Sequence, residues 1–92
     1  MITKRDKAGN FIDINDYLVM AKDDELQYAQ VIGVWKNGNP KIVTVSVSED
    51  GPIIDDYIQS LKESEKAIVV QHEQMPEEIY SLLYSFELKE EQ

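Results

Sequence analysis

The run Asn37-Gly38-Asn39-Pro40 constrains this chain more than any other stretch. Gly and Asn accept the backbone angles of a tight reversal, and Pro cannot donate to a central strand, so the chain must turn here. On the far side Val43, Val45 and Val47 alternate with Thr44 and Ser46, the period of a half-buried strand over Lys41 to Val47. On the near side Leu26 to Lys36 reads as one long strand, with Gly33 marking a bulge or bend inside it. A β-hairpin with these limits is the frame to which the other segments must fit.

Ahead of it, Lys7-Ala8-Gly9-Asn10 reads as a turn, Phe11 to Ile14 as a short strand and Asn15-Asp16 as a second turn. Tyr17-Leu18-Val19-Met20-Ala21 is apolar on both faces, as in a strand covered on two sides, and Asp23-Asp24-Glu25 ends it with charge. After Ser48-Glu49-Asp50-Gly51-Pro52 the period changes: Ile53, Ile54, Tyr57, Ile58 and Leu61 recur at helical spacing, which predicts a helix of about three turns. Lys62 to Lys66 closes that helix. Ala67 to Gln71 is β-branched and reads as an interior strand, and Pro76-Glu77-Glu78 opens a second helix with Ile79, Leu82, Leu83 and Phe86 on one stripe. The predicted order is β-β-β-β-α-β-α. It implies a single α+β domain over residues 1–92: a small bent antiparallel sheet, or an SH3-like open barrel, with two amphipathic helices. The strands around Tyr17-Leu18-Val19, Val31-Ile32-Gly33-Val34 and Ile42-Val43-Thr44-Val45 resemble those of SH3-type barrels.

Ninety-two residues with 42% apolar content suit one core. No cysteine is present, which fits a reducing cytoplasm, and no apolar run approaches the length a bilayer requires. The net charge of −9 is unevenly spread. Residues 1–22 carry +1, residues 23–48 carry −1, and the stretch from Glu49 onward carries −9.

The residue types that catalysis needs are scarce. His72 is the only imidazole, and its place between a strand and a helix predicts a loop or surface role rather than catalysis. The four glycines are isolated, so no glycine-rich phosphate loop exists. The Asp13–Asp16 and Asp50–Asp56 clusters do not match a calcium loop. The expectation is a protein that is not an enzyme and takes no metal or cofactor.

Two binding functions remain. In the first, Asp55, Asp56, Glu63 and Glu65 around the first helix, with Glu73, Glu77 and Glu78 at the second, present a negative face to a protein partner with a basic surface. In composition such a chain resembles phage-encoded inhibitors of bacterial nucleases and defence proteins, which implies charge mimicry of a nucleic-acid backbone. In the second, the chain is an SH3-like interaction or assembly module that binds a peptide or subunit through sheet edges and exposed aromatics. Tyr80 and Tyr84, four residues apart on one side of the last helix, form its anchor pair. Trp35 is expected in the core. Direct nucleic-acid contact is not expected, because the acidic second half repels phosphates.

Overall fold

The computed structural model describes residues 2–22, 25–55, 57–62 and 66–90, the side chains of Lys22 and of residues 87–90 excepted. Its centre is the expected hairpin: β2 (Glu25–Val34) pairs antiparallel with β3 (Pro40–Ser48). Gly38 closes the turn at φ +89°, and Gly38 N–H donates to the Trp35 carbonyl at 2.9 Å. The register of the two strands shifts between Val31 and Gly33, so the bulge lies where the interior glycine stands. A Cβ at Gly33 would meet Lys41 Cδ at 3.3 Å, closer than most such contacts, which is why the position suits glycine.

β1 (Tyr17–Lys22) adds to β2, and β6 (Ala67–Val70) returns antiparallel beside β1. On the other side of β3 lie β4 (Gly51–Ile54) and the two-residue β5 (Gln59–Ser60), giving a six-stranded sheet with the order β4-β3-β2-β1-β6 and β5 also on β3. A 3₁₀ turn at His72–Gln74 leads into one long helix, α1 (Glu77–Glu90). The architecture is a small α+β fold, mostly an open antiparallel sheet.

Two expectations need correction. Among the described residues the first helix does not form: residues 51–54 and 59–60 are strand. Both β4 and β5 run antiparallel to β3, with Ile54 opposite Val45 and Gln59 opposite Ile42, so the two short strands follow one another along the same edge of β3. Asp55 N–H donates to the Thr44 carbonyl at 2.9 Å. Thr44 Oγ1 donates to Asp55 Oδ2 and accepts from Gln59 Nε2 at 3.0 Å. Thr44 is buried, so these bonds satisfy an otherwise costly hydroxyl and pin Asp55, after β4, and Gln59, in β5, to the same β3 residue. Phe11 to Ile14 forms no strand either; it contributes one bridge, Arg5 to Phe11, before Asn15 turns the chain at φ +78°.

Both faces of the sheet are covered. One face buries Leu18, Ala29, Val31, Ile42 and Ala67 beneath Ile12 and Leu61. The opposite face sets Val43 and Val45 against Met75 and the α1 side chains Ile79 and Leu83, with Leu82 and Phe86 alongside, as the stripe predicts. The edges are blunted as well. Asp55 N–H points to β3, so by alternation the Pro52 nitrogen faces away from it, and proline offers no donor on that outer edge.

The β6 edge is capped by the N-terminal loop. Asp6 Oδ2 accepts from Val69 N at 2.9 Å, and Lys7 N donates to the Ala67 carbonyl at 2.8 Å. Asp6 also receives Asn10 N at 2.7 Å and Asn10 Nδ2 at 3.3 Å. Burial pushes the Asp6 carboxyl upward, but hydrogen bonds from Val69, Asn10 and Ala8 outweigh it and hold the group below its ordinary value of 3.8. A depressed carboxylate stabilises the fold above its unfolded pKa and loses that contribution as pH falls through the folded one. Asp6→Asn should therefore lower stability by about 1–3 kcal/mol at neutral pH. In denaturant melts the gap from wild type should narrow below about pH 4; a gap constant from pH 7 to pH 3 contradicts this assignment.

Candidate interaction surface

The Gln71–Gln74 segment sets the site's geometry. Gln71 N donates to Gln74 Oε1 at 2.7 Å and Gln74 N to the Gln71 carbonyl at 2.9 Å, a clasp that fixes the 3₁₀ turn. Met75, buried against the sheet, anchors it from below. The Pro76 carbonyl then accepts from Ile79 N and Tyr80 N at 3.1 and 3.0 Å, which starts α1. Helical spacing of four puts Tyr80 and Tyr84 on one side of α1, beside the buried Ile79 and Leu83.

His72 stands on this turn and stacks on Tyr80, with ring centroids 4.1 Å apart and planes 22° apart. Tyr80 in turn lies 6.2 Å from Tyr84 at 19°. Tyr17, at the start of β1, tilts against both, 5.9 Å from Tyr80 and 6.2 Å from His72. Four rings thus form a continuous aromatic ladder from the sheet to the middle of the helix. Such pairs contribute about 0.5–1.5 kcal/mol beyond their buried area, enough to hold the rings in place. Tyr84 is 50% exposed and His72 is exposed, so the ladder's outer end faces solvent.

α1 packs mainly over β2, β3 and β4. On β1 and β6 the same sheet face carries Val19 opposite Ile68, and Ile68 is 43% exposed. The apolar surface therefore continues past the helix. Glu73, next to His72 in the chain, is exposed, and so are Glu77 and Glu78 at the start of α1, which line a groove with Val47 and Pro52.

The proposed acidic face is only partly assembled. Glu73, Glu77 and Glu78 are close in the chain and exposed, whereas Asp55 is half-buried and engaged with Thr44, which by alternation with Val43 and Val45 points to the sheet face away from α1. Asp56, Glu63 and Glu65 lie outside the described residues. Among the described residues no group of His, Asp and Glu could hold a metal ion. Trp35, expected in the core, is 40% exposed because it sits in the hairpin turn rather than in a strand.

Tyr17 and His72 have no sequence signal as site residues. They reach Tyr80 only because β6 returns beside β1, which brings the segment after β6 to the start of β1. Helical spacing alone does mark Tyr80 and Tyr84.

Exposure separates packing from surface on the same helix. Leu83→Ala should cost about 2–5 kcal/mol of stability. Tyr84→Ala should stay within about 1 kcal/mol of wild type. Thermal melts of the two variants check this, and equal losses would mean that Tyr84 is part of the core. Comparison with known proteins gives no match: no family model, no curated protein and no solved structure is similar to this chain.

Proposed function

We propose that this protein is a non-enzymatic interaction module whose contact surface is the Tyr17–His72–Tyr80–Tyr84 ladder, with the exposed Glu73 next to His72 and Glu77 and Glu78 in the first turn of the same helix. Its partner is a protein with an apolar contact ringed by basic residues. The observation that carries this reading is the ladder itself: His72 stacked on Tyr80 at 4.1 Å, Tyr80 stacked with Tyr84, and both outer rings, His72 and Tyr84, exposed. Preordered aromatic groups bind at low entropic cost, and carboxylates beside them favour a basic rim and speed encounter.

Two further observations support it. The outer edge of β4 carries Pro52, and the β6 edge is occupied by Asp6 and Lys7, so strand addition is disfavoured and the aromatics remain as the binding device. Charge mimicry, the other reading, calls for carboxylates along two helices, and residues 51–54 and 59–60 are strand. With the interaction reading we also propose the finer fold reading, that the order β4-β3-β2-β1-β6 belongs to an SH3-type open barrel.

Affinity capture from host lysate with wild type, Tyr84→Ala, His72→Ala and the Glu73→Gln/Glu77→Gln/Glu78→Gln triple variant tests the function. Capture that survives high salt, is lost in the aromatic variants and is only weakened in the triple variant is the expected result. Capture abolished by salt and by carboxylate neutralisation, yet intact in Tyr84→Ala, would return the function to charge mimicry.

A further inference from the structure

The tip of the β2–β3 hairpin has a different chemistry from this surface. Although the chain carries eighteen acidic residues, the shallow pocket at the tip of the β2–β3 hairpin is lined by Val34, Trp35, Lys36, Asn37 and Lys41, with no carboxylate among them. The Lys41 ammonium lies 4.5 Å from the centroid of the Trp35 ring. Backbone bonds bring two more cationic segments to this turn. Thr3 N donates to the Gly38 carbonyl at 3.4 Å and Leu61 N donates to the Pro40 carbonyl at 3.0 Å, so the backbone positions next to Lys4 and Lys62 in the chain lie at this turn.

Separation allows such a patch to act in an acidic protein. Lys41 is the second residue of β3, and Val47, near its other end, lines a groove with Pro52, Glu77 and Glu78. Six residue steps at roughly 3.3 Å put about 20 Å between these two positions. The Debye length is about 8 Å at physiological ionic strength, so the carboxylates at the α1 end act only weakly on a ligand at the hairpin tip. A whole-chain charge count, on which the expectation of no nucleic-acid contact rests, does not describe this end.

We propose that the hairpin tip binds a single strand of nucleic acid, with a base on the Trp35 indole and phosphates on Lys36, Lys41, Lys4 and Lys62. The indole decides for this class over an acidic peptide. Every base offers a flat face to stack on an exposed ring while its phosphates reach the surrounding ammonium groups, whereas carboxylate side chains gain nothing from the ring. The four lysines and Trp35 lie outside the α1 surface, so the inference does not depend on the partner proposed above.

The chain has a single tryptophan, which makes its fluorescence a direct reporter of this site. Short oligo(dT) and oligo(rU) should quench it at about 50 mM salt, and the apparent affinity should fall roughly tenfold to twentyfold by about 200 mM if three phosphates are held. The preference between the two strands tells which nucleic acid is the ligand. Lys36→Gln/Lys62→Gln alters two exposed side chains and should weaken binding by about tenfold or more with an unchanged circular dichroism spectrum. By polarisation of a labelled strand, Trp35→Ala should lose on the order of tenfold. Absence of quenching at low salt, equal quenching by poly-glutamate, or unaltered affinity in the lysine variant would each overturn the proposal. None of these results bears on capture of a protein by the Tyr84 surface.

Discussion

Four consecutive residues of β3, Ile42 to Val45, are buried, and this double burial is the constraint on which the rest of the structure depends. Successive side chains of a strand point to opposite faces, so an unbroken buried run requires cover on both. Ile42 faces the cluster closed by Ile12 and Leu61, while Val43 and Val45 face α1 and Met75. Thr44 is the one polar member of the run, and Asp55 and Gln59 meet its hydroxyl. The same strand is paired along both of its edges, with β2 on one and β4 and β5 on the other. Removing any of these neighbours would bring part of that buried run into water.

The hairpin was legible because its determinants are local. Turn residues, alternation over Val43 to Val47 and an interior glycine act within one segment, and the observed register follows them, bulge included. The strand over Ala67 to Val70 and the α1 stripe of Ile79, Leu82, Leu83 and Phe86 were readable for the same reason. Residues 53–61 were not. Two separate short strands, β4 and β5, break the period of two, and Ile53, Ile54, Tyr57, Ile58 and Leu61 then imitate helical spacing. The choice is made at long range by the Thr44 hydroxyl and carbonyl, which hold Asp55 and Gln59 along β3.

The candidate surface divides along the same line. Tyr80 and Tyr84 could be found from helical spacing, whereas Tyr17 and His72 are joined to them only by the return of β6 beside β1. Their types gave no warning either, since a tyrosine opening a strand and a histidine in a turn are ordinary structural residues. Acidic residues present the converse case. Asp55 belongs by composition with Glu73, Glu77 and Glu78, but it is spent on the fold, so a count of carboxylates overstates the charged face.

Charge along the chain and charge in space are therefore different quantities here. Three of the six cations of the first half, Lys4, Lys36 and Lys41, are scattered in sequence, and Lys62 lies inside the acidic half. Thr3 bonding to Gly38 and Leu61 bonding to Pro40 gather their segments at one hairpin tip. Glu77 and Glu78 meet Val47 and Pro52 beside the opposite end of β3. β3 thus serves as a spacer longer than the screening distance, and each end presents its own potential to an approaching partner. A net charge of −9 governs solubility and long-range repulsion, but at contact distance the molecule has two chemically distinct ends, and a strand held rigid by burial on both faces keeps them apart.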